Sequence, residues 1–231
     1  MKFPAWRNKY GWLPVRVLRK LISTLGAILY RVTCRMPGFG FLKAYEGKPG
    51  AISLRTWFFQ RILGFNRHAY WGVHFTSRVG NFRAIEVGKH TNPGIEPGCY
   101  IQGIGLIRIG DYTNIAMNCA IISSNHDVYD GRQHLPGSAR IGSYCWIGAN
   151  CTILPGVVLG DFTVVGAGSV VTKSFPDGYC VIAGNPAKKL RDLEADRCVR
   201  YDYSNEYIGY MPAEKFPAFR LNYLYSEIEK Q

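Results

Sequence analysis

Residues 141–171 read Ile141-Gly142-Ser143-Tyr144-Cys145-Trp146-Ile147-Gly148-Ala149-Asn150-Cys151-Thr152-Ile153-Leu154-Pro155-Gly156-Val157-Val158-Leu159-Gly160-Asp161-Phe162-Thr163-Val164-Val165-Gly166-Ala167-Gly168-Ser169-Val170-Val171. Ile141, Ile147, Ile153, Leu159, Val165 and Val171 stand six apart, and every one is β-branched or Leu. The next residue is often small, as at Gly142, Gly148, Gly160 and Gly166. The fourth after each aliphatic is small or modest: Cys145, Cys151, Val157, Thr163 and Ser169. A helix needs spacing near 3.6 residues and an ordinary strand a period of two, so neither explains this frame. Short flat strands joined by tight bends do: each aliphatic points inward onto its equivalent in the next coil, and the small residues let the chain turn.

Upstream the same register holds Ile109, Ile115 and Ile121, with Gly110 and Ala116 following and Thr113 and Cys119 at the fourth position. Twenty residues separate Ile121 from Ile141 where three repeats take 18, and the intervening Ser123-Ser124-Asn125-His126-Asp127-Val128-Tyr129-Asp130-Gly131-Arg132-Gln133-His134 is polar. A loop over 123–140 is therefore expected to leave the coil. Val79-Gly80 and Val87-Gly88 read as first coils, and the 22 residues from Val87 to Ile109 contain a distorted turn around Pro93-Gly94 and Pro97-Gly98.

Outside the repeats the chain is different. Leu18, Leu21, Ile22, Leu25, Ile28, Leu29 and Val32 recur at helical spacing between Leu13 and Met36, with Pro14 suited to a first turn and Pro37-Gly38 to a stop. Arg16, Lys20, Arg31 and Arg35 lie largely off that stripe and Trp6 and Trp12 precede it, a composition that fits both an interfacial helix and one packed on its own core. A second apolar-basic run surrounds Trp57–Leu63. The chain is 231 residues long with net charge +12, yet Met1–Arg83 holds 15 Lys/Arg against the single acid Glu46. That asymmetry suits an anionic partner or a solubilising surface. The seven cysteines form no CxxC pair, and three of them occupy the repeat position, so they read as core side chains in a reducing compartment. No apolar run reaches about 18 residues, and neither a transmembrane helix nor a cleaved signal peptide is expected.

With Ile141–Asn150, Gly166-Ala167-Gly168-Ser169-Val170-Val171-Thr172-Lys173 and Ala183-Gly184-Asn185-Pro186-Ala187-Lys188, the chain resembles the hexapeptide-repeat acetyltransferases over roughly residues 79–191. It is most similar to the branch acting on galactosides, maltose, serine and xenobiotics. The resemblance implies an all-β fold, a left-handed parallel β-helix working as a homotrimer, with an N-terminal helical and mixed extension and a short C-terminal tail. The expected divisions are a basic extension at 1–72, the acyltransferase β-helix at 73–191 and a C-terminal extension at 192–231.

The resemblance also implies site residues. Its catalytic histidine begins a loop extruded upstream of the Trp-Ile-Gly motif, a place held here by His126. A hydroxyl is a weak nucleophile near neutral pH, and imidazole has the basicity to accept its proton. Asp127 and Asp130 are candidates to orient that ring. Acetyl-CoA is the implied co-substrate. Its pantetheine arm is expected along Trp146, Ala149 and Ala167, with Thr172, Lys173, Lys188 and Arg191 near the phosphates. His126, Asp127, Asp130 and His134 match no zinc spacing, and no metal is expected.

The acceptor is expected to be a hydroxyl of a surface polysaccharide or lipid-linked oligosaccharide, because the basic N-terminal segment, residues 1–36, could hold a cytoplasmic enzyme on the inner face of the membrane. A soluble acceptor such as a free sugar, serine or an antibiotic, and a non-catalytic trimeric scaffold, are the alternatives. Tyr201, Tyr203, Tyr207, Tyr210, Tyr223 and Tyr225 are expected to pack on the subunit itself. No motif for nucleic acid accompanies the basic segment.

Overall fold

The aliphatic ladder forms as the period dictates. The computed structural model describes residues 30–225 and, ahead of them, Val17, Lys20, Thr24, Gly26 and Ile28. Its core is a parallel β-helix with three faces. On the first, Arg78–Val79, Tyr100–Ile101, Ala120–Ile121, Thr152–Ile153 and Val170–Val171 pair in order; on the second, Ile85–Val87, Leu106–Ile109, Ser138–Ile141 and Val158–Leu159. On the third, Asn114–Ile115, Trp146–Ile147, Thr163–Val165 and Cys180–Gly184 run parallel, and Ala187–Asp192 closes the edge antiparallel. Ile109, Ile115, Ile121, Ile141, Ile147, Ile153, Leu159, Val165 and Val171 all point into the core, none more than 6% exposed. Each such side chain contributes on the order of 1.5–3 kcal/mol of burial.

The fourth-position residues are buried too, and for all but Val157 a hydrogen bond as well as small size accounts for it. Thr113 Oγ1 donates to the carbonyl of Gly142 (2.7 Å) and Thr163 Oγ1 to that of Gly160 (2.7 Å). The thiols of Cys119, Cys145 and Cys151 donate to the carbonyls of Gly148, Gly160 and Gly166 (3.0, 3.2 and 3.1 Å). Small O–H and S–H donors thus satisfy inward-facing carbonyls that water cannot reach.

One corner carries a stack of rings that the period alone does not reveal. Tyr112, Tyr144 and Phe162 each adopt positive φ three residues after Ile109, Ile141 and Leu159. Tyr112 stacks on Tyr144 at 5.2 Å between centroids, Tyr144 on Phe162 at 4.9 Å, and Phe162 on Tyr179 at 5.1 Å. Their mutual contact offsets the cost of the left-handed backbone.

The flanking segments are built into this body. Of the helix expected over Leu13–Met36, the start lies outside the described residues; those described between Val17 and Thr33 are helical. The helix ends at Thr33, ahead of Met36, and turns through Gly38, whose φ is +88°. Val17, Ile28, Val32 and Met36 are about half exposed, which separates them from the core. The boundary expected at residue 73 falls inside the core: Ala69, Tyr70, Trp71 and Val73 are buried with the first coils. The buried Gln60 side chain ties this cap together. Its Nε2 donates to the carbonyls of Asn66, Ala69 and Trp71, and its Oε1 accepts from Val73 N–H (3.1 Å) and Tyr210 O–H (2.7 Å).

That last bond also corrects the expectation of a short tail. Residues beyond 192 run back along the coil to its first turns and form a hairpin of Tyr207–Ile208 with Met211–Pro212, then the helix Phe216–Tyr223. Tyr144 O–H donates to the Tyr201 carbonyl (2.9 Å), Arg200 pairs with Asp161 (2.8 Å), and Arg220 with Glu86 (3.1 Å). Tyr201, Tyr203 and Tyr210 pack on the subunit's own rings, as expected of them.

Candidate active site

The excursion expected between the coils is a β-hairpin. Ile121 pairs with Ile153, 32 residues on, whereas Ile153 pairs with Val171, 18 on. The difference is an antiparallel pair of Ser124–His126 with His134–Pro136. The return is earlier than the expected 123–140: Ser138–Ile141 already pairs with Leu106–Ile109 on the second face, because Ala139 and Ile141 must fill the core.

His126 ends the outgoing strand, exposed, with its ring 4.3 Å from that of His134 between centroids. Its Nδ1 lies 2.7 Å from the carbonyl oxygen of Gly131. A carbonyl oxygen only accepts, so Nδ1 carries a hydrogen, and in the neutral ring the lone pair lies on Nε2, the tautomer in which that nitrogen can act as a base.

Neither expected carboxylate makes that contact. Asp127 Oδ1 accepts from the N–H groups of Tyr129 (2.8 Å) and Asp130 (2.9 Å), and Asp130 accepts from Arg132 and Gln133. The Arg132 side chain holds the Asp130 carboxyl down at about 2. Both acids therefore shape the turn that places the Gly131 carbonyl, and a short acidic side chain bonding its own backbone is the physical reason.

The expected pantetheine positions fall together on another corner. Trp146, 60% exposed, and Ala149 line a groove of about 510 Å³ with Pro49, Gly50, His90 and Met117. The Gly168 N–H donates to the Ala149 carbonyl (2.8 Å), so Ala149 and Ala167 succeed one another in adjacent coils. Gly148 is required there, since a Cβ would stand 2.7 Å from the Ala167 nitrogen. Thr172 and Lys173 follow the last strand of the first face, and Lys188 and Arg191 lie on the antiparallel edge strand; all four are exposed. Arg191 lines a separate cleft with Arg197 and Cys198. The hairpin leaves between the first and second faces and Ala149 follows the third, so within one chain the first face separates His126 from the groove.

Sequence reasoning missed the wall contributed by the extension, Pro49 and Gly50, and missed His90. The His90 ring stacks on Tyr112 (5.7 Å) and sits 4.8 Å from Tyr45, with Nε2 3.1 Å from the Asn205 carbonyl and a buried Nδ1 without a protein partner. Burial, followed by the nearby Lys48 charge, pushes its pKa down to about 4. Its only sequence signal is its place three residues after Val87, the spacing of Tyr112 after Ile109.

Comparison with known proteins fits this arrangement. The family description "Bacterial transferase hexapeptide (six repeats)" matches residues 138–173. WbbJ of Escherichia coli K12, named as a lipopolysaccharide biosynthesis O-acetyl transferase, is 34% identical over 139 residues, covering 52% of this chain and 70% of WbbJ. YvoF of Bacillus subtilis 168, named as an acetyltransferase, is 37% identical over 113 residues, 49% of this chain and 63% of YvoF. The matched region spans less than two thirds of YvoF and only 57% of the Staphylococcus aureus protein SACOL2570. Among solved structures, a maltose O-acetyltransferase from Clostridium difficile 630 superposes with a TM-score of 0.51 at 25% identity, covering 72% of this chain and 89% of that one. The chain belongs to the hexapeptide-repeat acetyltransferase family.

Proposed function

We propose that the chain transfers acetyl from acetyl-CoA to a hydroxyl of a saccharide, with Nε2 of His126 as the general base. The observation that carries this is the Gly131 carbonyl on Nδ1. It assigns the lone pair of the neutral ring to the opposite nitrogen, on an exposed projecting hairpin. As the acceptor oxygen attacks the thioester carbon, its proton passes to Nε2. The tetrahedral oxyanion collapses, the C–S bond breaks, and the leaving sulfur takes the proton back from the imidazolium, giving an acetyl ester and free CoA.

The groove beside Trp146, Ala149 and Ala167 would receive the pantetheine arm, and Thr172, Lys173, Lys188 and Arg191 the phosphates, where cations offset anionic charge. A left-handed coil assembled as a homotrimer brings one copy's hairpin to its neighbour's groove. The separation of His126 from Ala149 within one chain supports that assembly.

The names of WbbJ and of the maltose enzyme support a saccharide acceptor, here a surface polysaccharide or lipid-linked oligosaccharide. Residues 1–36, basic and with Val17, Ile28, Val32 and Met36 exposed, would hold the enzyme peripherally on the inner face of the cytoplasmic membrane. Among the described residues no helix is long and apolar enough to cross it. The test is CoA release from acetyl-CoA with glycans, lipid-linked saccharides, simple sugars and serine as acceptors; turnover with serine alone would overturn the saccharide assignment.

A further inference from the structure

The extension presents an apolar surface that acetyl transfer does not use. The helix Leu54–Trp57 widens into a π-helical turn, Phe58–Ile62, closed by the Leu63 N–H donating to the Phe58 carbonyl (3.1 Å). Gln60 points into the core from this turn and is held there by its five hydrogen bonds. Phe58, Ile62, Leu63 and Phe65 consequently face solvent, exposed by 46, 53, 51 and 46%. Beneath them Phe59 stacks on Phe75 (4.6 Å) and Phe65 meets the same ring edge-on (6.1 Å), so the patch is firmly backed.

Its rim is cationic. Arg55, Arg67 and Arg78 are exposed; the Arg55 guanidinium lies 5.9 Å from the Phe59 ring centroid, and Arg67 donates to the Arg61 and Ile62 carbonyls. From Gly47 to Arg83 the chain carries six Lys/Arg and no Asp or Glu. Glu96 is the carboxylate whose charge reaches His74 beside Phe75. Four large apolar side chains in eight residues, ringed by arginines, complement the boundary between anionic headgroups and acyl chains. A second copy of the chain on this face would oppose like charges, which argues against self-association here.

We propose that the Phe58–Phe65 turn is a docking surface for an anionic lipid bilayer. The surface is structured, distinct from residues 1–36, and rests neither on acetyl transfer nor on a membrane role for those residues.

Flotation of the full chain with vesicles of phosphatidylcholine, alone or mixed with phosphatidylglycerol, tests it. Wild type is expected to float with the mixed vesicles, and less so as salt is raised. The combined Phe58→Ser, Ile62→Ser, Leu63→Ser and Phe65→Ser variant is expected to lose at least about tenfold in partitioning. Leu221→Ser, an 85% exposed residue on the C-terminal helix, should lose nothing. Leu63→Asp alone, a single solvent-facing change that spares the fold, should weaken binding to the mixed vesicles as well. Replacing Val17, Ile28, Val32 and Met36 with Ser tests residues 1–36 separately. Wild-type flotation by both patch variants would overturn the proposal. A change of mass in light scattering accompanying the loss would also overturn it, by making the patch a protein contact.

Discussion

Nδ1 of His126 sits 2.7 Å from the carbonyl oxygen of Gly131, five residues along the same hairpin. A backbone acceptor, not a carboxylate, therefore fixes the tautomer. With His126 as the proposed base, the shape of the turn from Asp127 to Gln133 would become part of the chemistry, because it carries the carbonyl into place. The Asp127 N–H donates to the Gln133 carbonyl and the Gln133 N–H to the Asp130 carbonyl, both at 2.9 Å, so the turn is closed on itself.

Asp127→Asn keeps an oxygen that accepts from Tyr129 and Asp130, and kcat is expected to stay within about twofold of wild type. Asp127→Ala loses both bonds, and kcat is expected to fall about tenfold as the carbonyl drifts, with little change in KM for acetyl-CoA. Steady-state kinetics on the two variants decide the point. If the negative charge itself mattered, Asn would be as poor as Ala.

Trp146 is largely exposed on the groove wall, so Trp146→Ala should leave the melting temperature nearly unchanged. It should weaken CoA binding by about tenfold, since a flat aromatic wall is lost. Calorimetric titration with CoA measures this, and unaltered affinity would place the co-substrate elsewhere.

Gln60 is fully buried and satisfies groups from the cap, the first coil and the C-terminal hairpin. Gln60→Leu would strand the Trp71 carbonyl, the Val73 N–H and the Tyr210 hydroxyl. A loss of about 3 kcal/mol or more is expected in chemical denaturation. A change below about 1 kcal/mol would mean that these groups find other partners.

His90 makes stability depend on acid. Its Nε2 faces the Asn205 carbonyl and so carries the hydrogen; protonation must occur at the buried, unpartnered Nδ1. Burial and then Lys48 hold the folded value at about 4, below the roughly 6.5 of an unfolded histidine. Stability is therefore full above about 6.5 and drains as pH falls toward 4, by about 3 kcal/mol. His90→Asn tolerates the positive φ of 50° and removes the titration, so urea unfolding should show a shallower acid slope than wild type. Identical slopes would contradict this.

The coil was legible because its code is local. One inward aliphatic per strand recurs in each unit and a small donor at most corners, with Val157 the apolar exception, so Ile141 to Val171 specify their own geometry. The excursion was legible for the converse reason, as a polar break in that code, and His126 was singled out on it by the family resemblance. Contacts made by backbone or across long separations were not. The Gly131 carbonyl has no side-chain signature, and the tail reaches Tyr144 from Tyr201 and Gln60 from Tyr210 across 57 and 150 residues. Asp127 and Asp130 misled because acids beside a histidine look like orienting groups until their bonds to the turn are seen.

The role of His126 is tested by comparing wild type with His126→Ala for CoA release from acetyl-CoA in the presence of a saccharide acceptor, alongside CoA binding by calorimetry. The variant is expected to bind CoA as wild type does while kcat falls by about 10² or more. Turnover by His126→Ala close to that of wild type would contradict that role, and the proton would then have to leave the acceptor by another route.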